Sequence, residues 1–98
     1  MSVQEAFEQA TNLMSTSTSR FSNEEKLRSY GLFKQAKFGD CTDPTPSKFN
    51  QTAYWKHYAW TEYKGRTTEE AMADYVRFVA DLDNETGKEV HKLLPMLD

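Results

Sequence analysis

The sequence predicts an all-α domain, a single four-helix bundle, and three observations carry that expectation. Three S/T-x-x-E capping boxes stand at Ser2/Glu5, Ser22/Glu25 and Thr67/Glu70, the spacing at which hydroxyl and carboxylate satisfy backbone N–H groups at a helix start. Apolar residues after the boxes recur at helical rather than alternating spacing. Gly39, Gly65 and the pair Pro44 and Pro46 divide the chain where helices should stop.

The first helix should begin at Ser2 and bury Val3, Ala6, Phe7, Ala10, Leu13 and Met14. Ser15 to Ser19 should end it, because short hydroxyl side chains compete for backbone hydrogen bonds. The second opens at Ser22, runs to about Phe38 and finds its left-handed terminator in Gly39. Asp40 to Ser47 is a loop. A third helix is expected from near Asn50 to about Lys64, with Trp55, Ala59 and Tyr63 facing inward, helped by Tyr58. The fourth follows Thr67, and Ala71, Met72, Tyr75, Phe78, Val79 and Leu82 form the cleanest stripe of the sequence. Gly87 is expected to end or weaken it. The domain proper is read as residues 3–87, and residues 88–98 as a tail, either a short extra helical turn or disordered. Periodicity does not give the topology.

With 98 residues there is room for one domain and one core, burying roughly two-thirds of the unfolded chain's surface. A composition 38% hydrophobic, 13% aromatic and 28% charged is that of a globular domain rather than a disordered chain. No apolar run is long enough to span a bilayer, and the first ten residues lack a signal pattern. Cys41 is alone, so no internal disulfide can form, and a cytoplasmic location is the expectation.

The net charge of −3 is unevenly spread. Residues 20–66 hold nine Lys/Arg against five acids, whereas residues 67–98 stand at −5. An anionic partner is therefore to be sought in the middle of the chain. A sequence pI near 5.4 argues against nucleic acid. Cys41, His57 and His91 have no spacing that makes a nucleophile–base pair or a metal set, and no Gly-rich phosphate loop or nucleophile elbow is present. The residues do not suggest an enzyme.

The second helix is the informative one. Tyr30, Phe33, Lys34 and Lys37 share one side of it, mixing flat rings with cations. Such a face suits a nucleotide, with rings for the base and ammonium groups for phosphate. Gly31, unfavourable in a helix by about 1 kcal/mol relative to alanine, is read as space for close ligand approach. Lys56 can add a second cation and Tyr75 a hydroxylated ring. Taken singly, the plainer accounts are core packing for Tyr30, Phe33 and Tyr75, and solvation for the lysines.

The stretch Tyr30-Gly31-Leu32-Phe33-Lys34-Gln35-Ala36-Lys37-Phe38-Gly39-Asp40 closely resembles the Y-x-x-[YF]-K-Q-A-x-x-G-D signature of acyl-CoA-binding proteins. The match continues through Lys56…Trp60, Tyr63-Lys64-Gly65 and Glu70-Ala71-Met72…Tyr75. The resemblance implies a four-helix bundle of that family's type, holding a medium- to long-chain fatty-acyl-CoA in a surface bowl. It implies phosphate-binding roles for Lys34 and Lys56 around the adenosine 3′-phosphate. Tyr30 would add a hydroxyl to phosphate recognition, Phe33 a ring beside adenine, and Tyr75 a ligand contact. It further implies a monomeric carrier and pool former that uses no cofactor and no catalysis, with acyl-CoA-using enzymes and membrane surfaces as transient partners. Phe33 stands where tyrosine is frequent, His57 where tryptophan is usual, and Ser15 where many relatives have lysine. A protein-interaction adaptor is the alternative, since the basic middle and acidic C-terminal part could present complementary faces.

Overall fold

A computed structural model describes residues 2–97 and shows five helices among them with no strand. These are α1 (Val3–Ser15), α2 (Asn23–Phe38), α3 (Gln51–Thr61), α4 (Thr68–Ala80) and α5 (Glu85–His91), followed by a 3₁₀ turn, Leu94–Leu97. The all-helical class is as expected; the count of four is not.

The helix starts follow the capping chemistry. Ser22 and Thr67 each accept from the third-residue N–H while Glu25 and Glu70 reach back to the cap N–H, so α2 and α4 begin on complete boxes. Ser2 accepts from the Glu5 N–H, and Asn50 from that of Ala53. Each cap stabilises its helix by about 1 kcal/mol. Gly39 closes α2 at φ 76° and Gly65 follows α3 at φ 95°, both in the left-handed region.

Side-chain pairs give the helix directions. Arg28 lies over Phe78 and Phe33 beside Tyr75, so α2 and α4 run antiparallel. Tyr30 meets Lys56 and Lys34 meets Trp60, so α2 and α3 run in the same direction. Phe7 meets Tyr75, and beyond the helix ends Ser17 meets Thr86, which sets α1 parallel to α4. The loop between Gly39 and Asn50 carries the chain back for the parallel pair. The core fills the space among α1, α2 and α4, where Ala6, Ala10, Ala36 and Ala71 allow close approach and Phe7, Leu32, Tyr75, Val76 and Val79 supply volume.

Three expectations need correction. First, α4 ends at Ala80, and Gly87 lies inside a separate helix, α5, rather than terminating α4. Asn84 caps α5 by accepting from the Gly87 N–H, and any Cβ at Gly87 would strike the Leu82 carbonyl. That glycine lets α5 fold tightly onto the end of α4. Thr86, Val90 and Leu93 are buried there, so the helix crosses the division at residues 87 and 88. Asp98, the end of the expected tail, lies outside the described residues.

Second, α3 stops at Thr61; Ala59 faces inward as expected and Tyr63, beyond the helix end, packs against the core, but Trp60 takes the inward place given to Trp55. Trp55 and Tyr58 are 50% and 51% exposed. The reason is that α3 packs chiefly against α2, so its buried face is narrow. Third, Gly31 does not make room for a ligand. A Cβ there would overlap the Ala59 carbonyl and the Tyr63 ring, so Gly31 lets the α3 backbone rest directly on α2. Helix contact, not ligand approach, requires it.

Candidate functional site

Residues 30, 33, 34 and 37 follow i, i+3, i+4 and i+7 along α2, which places them on one face. The close contact at Gly31 brings α3 alongside. As a result the ammonium groups of Lys34 and Lys56 stand over the same ring, 5.9 and 5.3 Å from the Tyr30 centroid. The Lys34 ammonium also lies 4.5 Å from the Phe38 ring and 4.9 Å from that of Trp60. Ring faces hold cations by their quadrupole without neutralising them.

Charge pairing elsewhere sharpens the contrast. Arg66 bridges Glu70 and Asp74, Arg77 approaches Asp74, and Lys88 and Lys92 pair with Glu85 and Glu89. Among the described residues neither Lys34 nor Lys56 has a carboxylate partner. The site thus presents two uncompensated positive charges that share the Tyr30 ring.

The platform under Lys34 is fixed from below. The Trp60 indole N–H donates to the Gly39 carbonyl at 2.8 Å, tying α3 to the end of α2. Fully buried Gln35 donates to Asp40 Oδ1 and to the Arg66 carbonyl, both at 2.8 Å, and Asp40 Oδ1 also accepts from the Gly65 N–H. The Gly65 N–H and the Gln35 amide hold the Asp40 carboxyl below the usual aspartate range. The Gln35 and Asp40 of the signature therefore clamp the turn after α3 to the end of α2.

Partial burial pushes the Tyr30 hydroxyl above the ordinary tyrosine range, and the nearby acidic groups of Cys41 and Asp43 add to the shift. It stays protonated at neutral pH, an O–H donor beside two ammonium groups. His57 turns to the loop before α3: a ring nitrogen lies 3.1 Å from the Asp43 carbonyl. Ser15 bonds back to the Asn12 carbonyl within α1.

Phe33 and Tyr75 form an adjoining group with Phe7 rather than part of the lysine cluster. Phe33 stacks on Phe7 at 6.0 Å, Tyr75 meets Phe7 edge-on at 5.2 Å, and Phe33 and Tyr75 are 6.5 Å apart. Tyr75 is only 4% exposed, and burial pushes its hydroxyl up to about 12. The Lys37 ammonium lies 6.0 Å from the Phe33 ring centroid.

Beside the lysine cluster a groove of about 820 Å³ runs between the first turns of α2 and the length of α3, with Leu27, Trp55, Lys56, Tyr58, Ala59 and Tyr63 among its walls. The Trp60 and Phe38 platform and this groove were not read from the sequence. The i+4 spacing of Lys56 and Trp60 was the available signal for the first, and nothing in the pattern signalled the second.

Comparison with known proteins decides the family. The family described as "Acyl CoA binding protein" matches residues 4–79, most of the chain. The chain belongs to the acyl-CoA-binding protein family. A member from Oryza sativa subsp. japonica, "Acyl-CoA-binding domain-containing protein 2", is 42% identical over 87 residues, covering 89% of this chain and 96% of the relative. The "Acyl-CoA-binding protein" of Ricinus communis is 39% identical over 87 residues, covering 89% and 97%. Among solved structures of the family, the crystal structure of Oryza sativa Acyl-CoA-Binding Protein 2 superposes with a TM-score of 0.75 at 33% identity, covering 98% of this chain and 99% of that one. These acyl-CoA-binding proteins share nearly their whole length with this chain, α5 and the following turn included in the structural match.

Proposed function

We propose that this chain binds medium- to long-chain fatty-acyl-CoA esters non-covalently and serves as a cytoplasmic, monomeric carrier and pool former for them. The observation that carries the reading is the pair of uncompensated ammonium groups, Lys34 and Lys56, over the Tyr30 ring at the edge of a largely apolar groove. Membership of the family supports it. Lys34 and Lys56 hold the adenosine 3′-phosphate by charge-assisted hydrogen bonds, and the protonated Tyr30 hydroxyl donates to phosphate. Phe33 offers its outer face to adenine. Tyr75, nearly buried, acts from beneath by fixing that ring. The acyl chain follows the groove, where each methylene removed from water contributes about 0.8 kcal/mol.

On this reading the protein does no chemistry on the thioester and uses no cofactor. It limits free ester and passes it to acyl-CoA-using enzymes or membranes. Head and tail occupy adjoining sites in one ligand, so a single ordering cost serves both sets of contacts. Titration calorimetry with a series of acyl-CoA lengths, free CoA and the corresponding fatty acids checks this. The ester should bind far more tightly than either part. Equal affinity for a fatty acid and its CoA ester would sink the head-group assignment.

A further inference from the structure

Among the described residues, every large hydrophobic side chain that is markedly exposed lies between Phe38 and Tyr58. Phe49 is the extreme case, 100% exposed just before the Asn50 cap of α3. Its backbone is held by a turn in which the Phe49 N–H donates to the Ser47 hydroxyl at 3.2 Å, so the ring is presented from a defined loop. Trp55 and Tyr58 follow along α3 at the open rim of the groove, half-exposed and in edge contact at 6.0 Å. None of these rings is needed for the packing of α3, which rests on α2 through Ala59 and Trp60.

The charge along this stretch of chain has one sign. From Pro44 to Thr61 the chain contains Lys48 and Lys56 and no carboxylate. Lys26, across the groove, is like these two without an ion pair among the described residues. Glu24 and Glu62 lie at the groove's walls and temper the field there. The acid-rich part of the chain, α4 and α5, has its cations tied up in ion pairs and makes little contact with α3. The molecule is therefore polarised, with α3 at its uncompensated basic end.

We propose that the exposed rim of α3 beside the groove and the loop entering it form a docking surface for a bilayer rich in anionic lipid, with Phe49 as the inserting residue. Amphipathic rings interleaved with lysines are the side chains that partition at a lipid headgroup layer, and cations near it are drawn by its negative surface potential. A protein partner would favour the rings as one desolvated cluster with a polar rim. Here they are strung along a loop and a helix. The groove proposed for the acyl chain opens beside this face, so docking would set its mouth against the layer from which a cargo enters and leaves. That purpose rests on the proposed ligand; the docking itself does not.

The test uses the full chain without ligand. Vesicles of phosphatidylcholine alone are compared with vesicles containing about 30% phosphatidylserine, by co-sedimentation and by Trp fluorescence. Anionic vesicles should retain the protein at low salt and release it as salt rises. Trp emission should shift to the blue as half-exposed Trp55 enters the interface. Phe49→Ala should weaken vesicle binding about tenfold while leaving acyl-CoA affinity in solution and thermal stability unchanged. Lys48→Glu should weaken it too, and Lys88→Glu on α5 should not. Loss of acyl-CoA binding by the unmodified chain with vesicle binding intact would reject the ligand reading and leave the docking surface standing. No difference between the two vesicle types, or full vesicle binding by Phe49→Ala, would overturn the docking proposal. Failure to bind any vesicle would overturn it as well and would give the face to a protein partner.

Discussion

Gly31 shows how one residue's role depends on what its missing side chain would strike. Helix propensity favours alanine at that position by about 1 kcal/mol. Against this, a Cβ would overlap the Ala59 carbonyl, which belongs to the α3 backbone and cannot rotate away. Overpacking typically costs about 1–3 kcal/mol, so the steric term should win. Gly31→Ala is expected to lower the urea midpoint, by a net loss of up to about 2 kcal/mol, with an unchanged slope. It should also weaken acyl-CoA binding, because α3 carries Lys56. A raised midpoint would show that the helices do not meet as closely as described. At this scale the sequence was legible where chemistry is local. Tyr30, Lys34 and Lys56 do converge: i, i+4 spacing and the signature mark the first two, and the continued resemblance marks Lys56. Gly31 was misread because a glycine in a helix indicates close approach without saying of what. The burial of Tyr75 and the platform of Trp60 depend on neighbours from other helices, which residue spacing does not reveal.

For the helices themselves, starts were more legible than ends. Each cap bonds within four residues, so Ser22, Asn50 and Thr67 declare their helices from sequence. Ends depend on tertiary fit. The stripe through Leu82 continues past Ala80 because Leu82 is buried, although the helix has already stopped at Asp81. Likewise, the rotation of α3 follows from its contact with α2, which turns Trp55 and Tyr58 outward against expectation. Helix α5 carries the clearest consequence. Val90 is fully buried there, within the core cluster. Val90→Ala removes two buried methyl groups and leaves a small cavity, so a loss of about 2 kcal/mol is expected in chemical denaturation. A change within about 0.5 kcal/mol, the range of surface substitutions, would mean that this helix is only loosely attached.

The whole molecule divides its work between two sides. Helices α1, α2, α4 and α5 enclose the core, and the ion pairs lie on α4, α5 and at Arg66, while α3 rests chiefly on α2 and contributes few buried groups. The direction of α3 parallel to α2 was not legible from periodicity, since a long loop permits either direction. Yet that choice sets Lys56 beside Tyr30 and opens the groove between α3 and the first turns of α2. Uneven charge was visible in the sequence; its meaning became clear only when the ion pairs proved to gather on α4 and α5 and at Arg66, leaving Lys34 and Lys56 uncompensated. The account therefore rests on those two charges meeting a phosphate. The most direct measurement is a coupling experiment, in which wild type and Lys34→Ala are each titrated with an acyl-CoA and with its 3′-dephospho counterpart. Losing a charge-assisted contact should remove about 1.5–3 kcal/mol, or roughly ten- to more than a hundredfold in affinity. Wild type should show that loss when the 3′-phosphate is absent, Lys34→Ala should show it with the complete ligand, and the two changes together should cost little more than either alone. Fully additive losses, or unchanged affinity in a folded Lys34→Ala protein, would contradict the account.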